Sequence, residues 1–159
     1  MSNLNCPHCH SALSTTQYEG VGVDWCRSCQ GVWLDTGELA KVVETREATI
    51  SASIVEETRA LARTGVPLED SNRRLQCPQC RRVLSAINYD YSSGIIVDRC
   101  PDDHGTWLDG GELAKVQAYH EQWDEETKRP GASAGTRKTS GERPALGAIS
   151  RMMRVLRGH

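Results

Sequence analysis

Residues 26–41 of the chain read CRSCQGVWLDTGELAK, and residues 100–115 repeat them as CPDDHGTWLDGGELAK. A Cys-Pro-x-Cys half precedes each copy, at residues 6–9 and 77–80. A duplication this regular predicts two copies of one small structural unit.

The cysteine spacing predicts a metal site in each copy. All seven cysteines of the 159-residue chain lie inside the copies, four in the first and three in the second. Two Cys-x2-Cys pairs separated by a 16-residue loop are typical of a tetrathiolate zinc site. The first predicted ligand set is Cys6, Cys9, Cys26 and Cys29.

The second copy has Asp103 where the fourth cysteine would stand, and His104 follows it directly. Imidazole nitrogen is a good zinc ligand, so we predict the set Cys77, Cys80, Cys100 and His104. Asp103 is the alternative fourth ligand, but a borderline-soft ion beside three thiolates favours nitrogen over oxygen. The cofactor prediction is therefore two Zn²⁺ per chain.

Other uses of the cysteines fit the sequence less well. Disulfides need an oxidising compartment, yet no apolar signal segment follows Met1 and the cysteine count is odd. A redox Cys-x-x-Cys usually opens a helix in a thioredoxin-like βαβ unit, which this sequence does not predict. Iron–sulfur binding stays open, although paired knuckles beside hairpins favour zinc. Reduced cysteines point to the cytoplasm, and no apolar run is long enough to span a membrane.

Each copy spans only about 45 residues, too few for a sufficient core by burial alone. Structural zinc would supply the missing stability, on the order of 10–16 kcal/mol per site. Residues 13–24 and 83–98 are rich in β-branched and aromatic residues around a glycine turn, which predicts a hairpin in each copy. The predicted fold class is therefore small, metal-stabilised α+β: two tandem zinc ribbons, each followed by a helix.

Acidic residues predict the start of both helices. Asp35 with Glu38, and Asp109 with Glu112, have the spacing of a capping box before an apolar run. A catalytic carboxylate pair is the alternative, and no other catalytic group repeats with them. The first helix either continues to about residue 63, where Gly-Val-Pro would end it, or breaks in the β-branched stretch 48–55. The second is predicted from residue 112 to about residue 128.

The tryptophans and histidines near the knuckles can each be interpreted as structural or as functional residues. Trp33 and Trp107 are predicted to pack over the zinc knuckles as the core of each unit, with an exposed recognition role as the alternative. His8 and His10 are predicted to be exposed polar knuckle residues rather than ligands of a further metal.

Composition divides the rest of the chain. We predict ribbon 1 and the start of its helix in 1–45, a helix and linker in 46–71, ribbon 2 and its helix in 72–126, a disordered basic linker in 127–144 and an amphipathic basic helix in 145–159. The partner-binding residues predicted on the last helix are Leu146, Ile149, Met153 and Leu156 on its apolar face, and Arg151 and Arg154 opposite.

Charge follows the same division. Residues 1–126 have a formal charge of −9, and residues 127–159 have +7. Seven thiolates and two zinc ions would lower the first value to about −12. Such an acidic body does not resemble a dedicated DNA-binding surface. Nucleic acid remains a possible partner of the basic tail, a membrane surface is disfavoured because the apolar face is short, and no small-molecule site is evident.

The order Cys-Pro-x-Cys, hairpin, Cys-x-x-Cys-x-Gly-Val-Trp-Leu-Asp-x-Gly-Glu-Leu closely resembles a bacterial zinc-ribbon family named after the zinc finger of transcription factor TFIIB. The resemblance covers about residues 6–41 and 77–115 and implies a zinc ribbon in each. The family often has His-Gly after the last cysteine, and only the second copy keeps this pair, at His104 and Gly105.

Two functions remain open at this point. The favoured one is a non-enzymatic adaptor that docks a protein or a nucleic acid, with a role in transcription left open. The alternative is a metal-handling protein or an enzyme that uses the Cys3His site.

Overall fold

A computed structural model of the chain describes residues 3–45 and 49–128, the last six of them as backbone only. The elements are β1 Ser14–Tyr18, β2 Val21–Trp25, β3 Val32–Asp35, α1 Glu38–Thr45, α2 Ala52–Leu61, α3 Leu68–Ser71, β4 Ser85–Asn88, β5 Ile96–Arg99, β6 Gly105–Leu108 and α4 Glu112–Lys128.

The six strands form one antiparallel sheet in the order β1-β2-β3-β6-β5-β4. Each copy contributes three consecutive strands, and the third strands of the two copies pair at the centre. Trp33 lies opposite Trp107 in this central pair. The two ribbons are therefore halves of one sheet, related by an approximate twofold axis between β3 and β6.

Both predicted hairpins are present, as β1–β2 and β4–β5. The third strand of each copy was not predicted. It is only four residues long, and in β6 all four residues are buried, so the alternation that identifies a half-buried strand is missing. Its partner strand lies in the other copy, more than 70 residues away along the chain, where local sequence patterns give no signal.

The helix after ribbon 1 is not continuous. Helix α1 ends at Thr45, and α2 begins at Ala52 after Ser51 in an extended conformation with ψ of 147°. The break includes Thr49 and Ile50 in the β-branched stretch. A helix is less favourable at such residues because their side chains would lose rotational freedom in it. Helix α2 then ends at Leu61, before the predicted Gly-Val-Pro stop. Helix α4 has the predicted bounds.

The core has two parts. One lies between a face of the sheet and helices α1 and α4, and includes Val23, Leu34, Val42, Val97 and Val116. The other surrounds the cysteines of both copies and both tryptophans. Among the described residues, no helix has the length and apolarity to span a membrane. The fold is small α+β with tandem ribbons, as predicted.

Candidate metal centres

The four predicted ligands of ribbon 1 converge. The Sγ atoms of Cys6 and Cys29 lie 3.5 Å apart, and those of Cys9 and Cys26 lie 3.4 Å apart. All four sulfurs lie within 4.8 Å of one another. A zinc ion with Zn–S bonds of about 2.3 Å would place tetrahedral sulfurs roughly 3.8 Å apart. The donor set and its spacing therefore fit zinc.

Ribbon 2 brings together Cys77, Cys80, Cys100 and His104, also within 4.8 Å of one another. Nδ1 of His104 lies 3.4 Å from Sγ of Cys100, and Sγ of Cys80 lies 3.6 Å from the same sulfur. Three sulfurs and one imidazole nitrogen form a four-ligand set that zinc accepts.

A shift of one residue in the last knuckle brings His104 to the place that Cys29 has in ribbon 1. In the first three knuckles the turn closes four residues after the first cysteine, as in the Gln30 amide bond to the Cys26 carbonyl at 2.9 Å. In the last knuckle the amide of Asp103, only three residues on, bonds to the Cys100 carbonyl at 3.0 Å. The left-handed residue moves accordingly, from Gln30 with φ of 64° to Asp103 with φ of 62°. The turn thus closes one residue early, and the ligand position moves one residue later.

The side chain of Asp103 pairs with Arg99, outside the cluster of ligand atoms. Asp103 is also exposed, whereas His104 is half-buried. The geometry therefore favours His104 over the alternative ligand.

The two copies interlock through their tryptophans. Trp33 and Trp107 are both fully buried. A Cβ added at Gly31 would lie 2.1 Å from Cζ2 of Trp107, and one at Gly105 would lie 2.7 Å from Cζ2 of Trp33. Each indole thus packs against the glycine of the other copy's knuckle. This explains the Gly-x-Trp pattern in both copies: the glycine leaves room for the opposite tryptophan.

The burial of both tryptophans confirms their predicted core role, and a recognition role for an exposed indole is wrong. From the sequence, each tryptophan was predicted to pack over the knuckle of its own copy. In the structure each packs against the glycine of the other copy, a contact that the repeated Gly-x-Trp pattern did not by itself predict.

The acids after each tryptophan hold the turn into the helix. The carboxylate of Glu38 accepts the backbone N–H of Asp35 at 2.8 Å, and Glu112 accepts that of Asp109 at 2.7 Å. This confirms the glutamate half of the predicted capping box. The aspartate side chains accept the indole N–H groups instead: Trp33 donates to Asp35 at 2.9 Å and Trp107 to Asp109 at 3.0 Å.

Comparison with known proteins agrees with this geometry. The transcription factor zinc-finger family, of TFIIB type, matches residues 5–45 and 76–118, a little over half of the chain. The chain belongs to this family. Each TFIIB-type match encloses one complete set of four candidate ligands. No curated protein and no solved structure matches the chain.

Backbone amides are directed at the buried sulfurs of these TFIIB-type ribbons, and a bound cation would stabilise those sulfurs as thiolates. The backbone amides of His8 and Cys9 donate to Sγ of Cys6 at 3.3 and 3.4 Å. Burial raises the pKa of the Cys77 thiol to about 12, even though two backbone amides also donate to it. A bound zinc ion deprotonates its thiols, so the amide donors then meet thiolates. All seven cysteines are free of disulfides.

Other predicted residues fall into two groups. His8 and His10 are exposed, as predicted for polar knuckle residues. The partner-binding face is outside the described residues, as are most of the predicted basic linker and the whole of the predicted final helix.

The linker between the TFIIB-type ribbons is anchored by Arg73. Its guanidinium lies 2.8 Å from Asp109, 3.4 Å from Asp98 and 3.6 Å from Asp70. The side chain of Asp98 is only 3% exposed. Burial raises the pKa of Asp98 to about 6, although Arg73 opposes this. The sequence did not predict this cluster, because its members come from four separate elements and loops.

Burial also raises the pKa of Glu112 from 4.5 to about 8. A raised carboxyl pKa means that folding takes up a proton, so this group's contribution to stability falls as pH rises from about 4.5 to 8. Glu112→Gln removes the titration and keeps an oxygen for the Asp109 amide. We expect the difference in free energy of unfolding, Glu112→Gln minus the natural chain, to increase between pH 5 and about pH 8, because the natural chain loses stability over this range. Denaturant unfolding of zinc-loaded protein at several pH values checks this, and a constant difference would contradict it.

His104→Ala should lower the zinc content below two ions per chain, since three thiolates leave the second site incomplete. Asp103→Asn is the matched control, one residue away, and should retain two ions. Metal analysis of both purified variants decides between the two ligands. The reverse ranking would assign the fourth position to Asp103.

Proposed function

We propose that this protein is a zinc-stabilised, non-enzymatic interaction protein that docks a macromolecular partner, most favourably another protein. Zinc in both ribbons serves to hold the shape of the docking body and does not perform chemistry. The same proposal places the protein in a reducing, cytoplasmic setting, where its thiols stay available for zinc.

The observation that carries the proposal is the completeness of the two ligand sets. Each has four protein ligands, which is typical of structural zinc, whereas catalytic zinc keeps a position open for water or substrate. Both sets also belong to one buried cluster with Trp33 and Trp107, so the surroundings limit access to the ions.

The repeated acids support the same conclusion. Asp35 and Asp109 accept indole N–H groups, and Glu38 and Glu112 accept backbone N–H groups at the helix starts. These structural bonds account for all four carboxylates, which were the candidates for catalysis by acids and bases.

The partner proposal rests on charge and on the C-terminal sequence. The acidic body, −9 over residues 1–126, disfavours nucleic acid as its main partner. The apolar face of residues 145–157 has the spacing of a helix that fits a groove, which favours a protein partner. Nucleic acid bound through the basic tail remains the second choice, and a link to transcription rests on the family name alone.

Zinc stoichiometry and exchange test the proposal. Purified protein should hold two zinc ions per chain, and both should exchange slowly with an isotopically labelled zinc pool. Native mass spectrometry measures both quantities in one experiment. One stable ion and one that exchanges rapidly would reject the proposal in favour of a metal-handling role for the Cys3His site.

A further inference from the structure

An apolar groove of about 330 Å³ lies beside the first hairpin. Its lining includes Tyr18, Trp25 and Val32 from the sheet and Leu113 and Ala114 from the start of α4. Thr16 lies at its rim and is exposed. The groove is on the face of the sheet that α1 and α4 cover, where the described residues leave this end open.

The second hairpin, in contrast, is covered by the segment that follows the helices of ribbon 1. Asn88 donates to the carbonyls of Arg63 and Gly65 at 2.7 and 2.8 Å. The carbonyl oxygen of Leu61 lies so close to Gly94, at the hairpin turn, that an added Cβ would be 1.7 Å away.

Among the described residues, helix α4 reaches the first hairpin through Gln117, which bonds to Tyr18 at 2.7 Å and to Glu19 at 2.6 Å, but no segment crosses the turn at Gly20. Gly20, the counterpart of Gly94, has no described atom within 4 Å of its Cβ position. The corresponding tyrosines show the same difference: Tyr18 is half-buried, whereas Tyr89 is only 6% exposed. The approximate twofold axis of the sheet thus relates a covered hairpin to an uncovered one.

The axis also indicates what would cover it. Since the segment after the helices of ribbon 1 covers hairpin 2, the segment after α4 is the counterpart that would cover hairpin 1. That segment is residues 129–159, and its one amphipathic stretch is 145–157. The apolar positions on this stretch are Leu146, Ile149, Met153 and Leu156.

The intervening chain has the reach to return to the groove. Helix α4 extends from the groove at Ala114 to Lys128, about 21 Å at 1.5 Å per residue. Residues 129–144 are 16 residues rich in Gly, Ser and Thr. A coil of that length has an average end-to-end distance of about 20–24 Å. The average span of the linker therefore matches the distance it must cover.

Charge favours the same contact. Residues 127–159 have a formal charge of +7, and residues 1–126 have −9. A segment with a net positive charge is attracted to a body with a net negative charge, so the overall charges favour docking on the same chain.

We propose that residues 145–157 form a helix that docks into the groove beside the first hairpin of the same chain. Leu146, Ile149, Met153 and Leu156 face Tyr18, Trp25 and Leu113, and the final segment covers ribbon 1 as residues 61–65 cover ribbon 2. The proposal concerns contacts within one chain, and a protein partner that binds the same apolar face, as in the proposed function, would have to displace this helix from the groove.

Amide hydrogen exchange of the full-length, zinc-loaded protein tests the proposal by NMR. A helix of about four turns that contains Gly147 is marginal by itself in water, so protection would report docking. We expect the amides of residues 149–156 to exchange at least about tenfold more slowly than in an unfolded chain. Ile149→Asp/Met153→Asp should abolish this protection and shift the amide resonances of Tyr18 and Ala114.

Matched control variants distinguish the effect of contacts in the groove from the effect of net charge. Thr139→Asp/Ser140→Asp makes the same change of charge in the linker and should leave the protection intact. Thr16→Arg places a cation at the rim of the groove and should release the helix, whereas Thr15→Arg, on the opposite face of the same strand, should not.

Three results would overturn the proposal. The first is exchange at the unfolded rate in the natural chain. The second is release by the control variants to the same extent as by the groove variants, which would mean attraction by charge alone. The third is protection that disappears on 20-fold dilution, which would mean that the groove binds a second copy.

Discussion

Removal of zinc is expected to unfold both ribbons in a single transition. The ligands of both sites share one buried cluster with the two tryptophans, and the ribbons share one sheet. A structural zinc site in a unit this small contributes on the order of 10–16 kcal/mol at neutral pH. Two such sites together exceed the whole stability of a typical domain, about 5–15 kcal/mol, so the apoprotein should not remain folded.

Chelator titration followed by NMR measures this. The resonances of β2 in ribbon 1 and β5 in ribbon 2 should disappear together, and re-addition of zinc should restore them. Hairpin resonances that persist after complete removal of zinc would show that the metal is not structural.

Adding one methyl group at either knuckle glycine should be the most damaging conservative substitution. The Cβ of Gly31→Ala would lie 2.1 Å from Trp107, and that of Gly105→Ala would lie 2.3 Å from the backbone oxygen of Leu34. Neither neighbour can move without opening the central strand pair. Overpacking in a rigid core commonly costs about 1–3 kcal/mol, and we expect about 3 kcal/mol or more here.

The control is Gly22→Ala in β2, where the nearest atom to the new Cβ is Nε2 of Gln17 at 3.6 Å. That contact is ordinary, so this variant should unfold within about 0.5 kcal/mol of the natural chain, as surface substitutions usually do. Denaturant unfolding of the zinc-loaded proteins compares the three. Equal stabilities would contradict the packing of each tryptophan on the opposite glycine.

The ligand sets were predictable from sequence because Cys-x-x-Cys spacing directly encodes a zinc knuckle. Even the replacement of the missing cysteine by His104 could be inferred, since His104 directly follows Asp103, which stands at the position of the missing cysteine. The structure adds the reason it works: the turn closes one residue earlier at Asp103.

The pairing of the ribbons was not predictable in the same way. A repeat shows that two units are alike, but the pairing of β3 with β6 depends on contacts between residues 74 apart in sequence, such as Trp33 and Trp107. Likewise, the helix break before Ala52 was one of two open interpretations, because weak local propensity does not fix where a helix ends.

The central claim is that the two ribbons form one cooperative folding unit and are not two independently folding domains. Its most direct test is amide hydrogen exchange in Cys77→Ala, which removes a ligand from the second site only, with Cys6→Ala as the reciprocal variant. We predict that the amides of β2 and β3 lose protection together with those of β5 and β6 in both variants. If β2 and β3 in Cys77→Ala keep the exchange rates of the natural chain while β5 and β6 become unprotected, the ribbons fold separately and the claim is wrong.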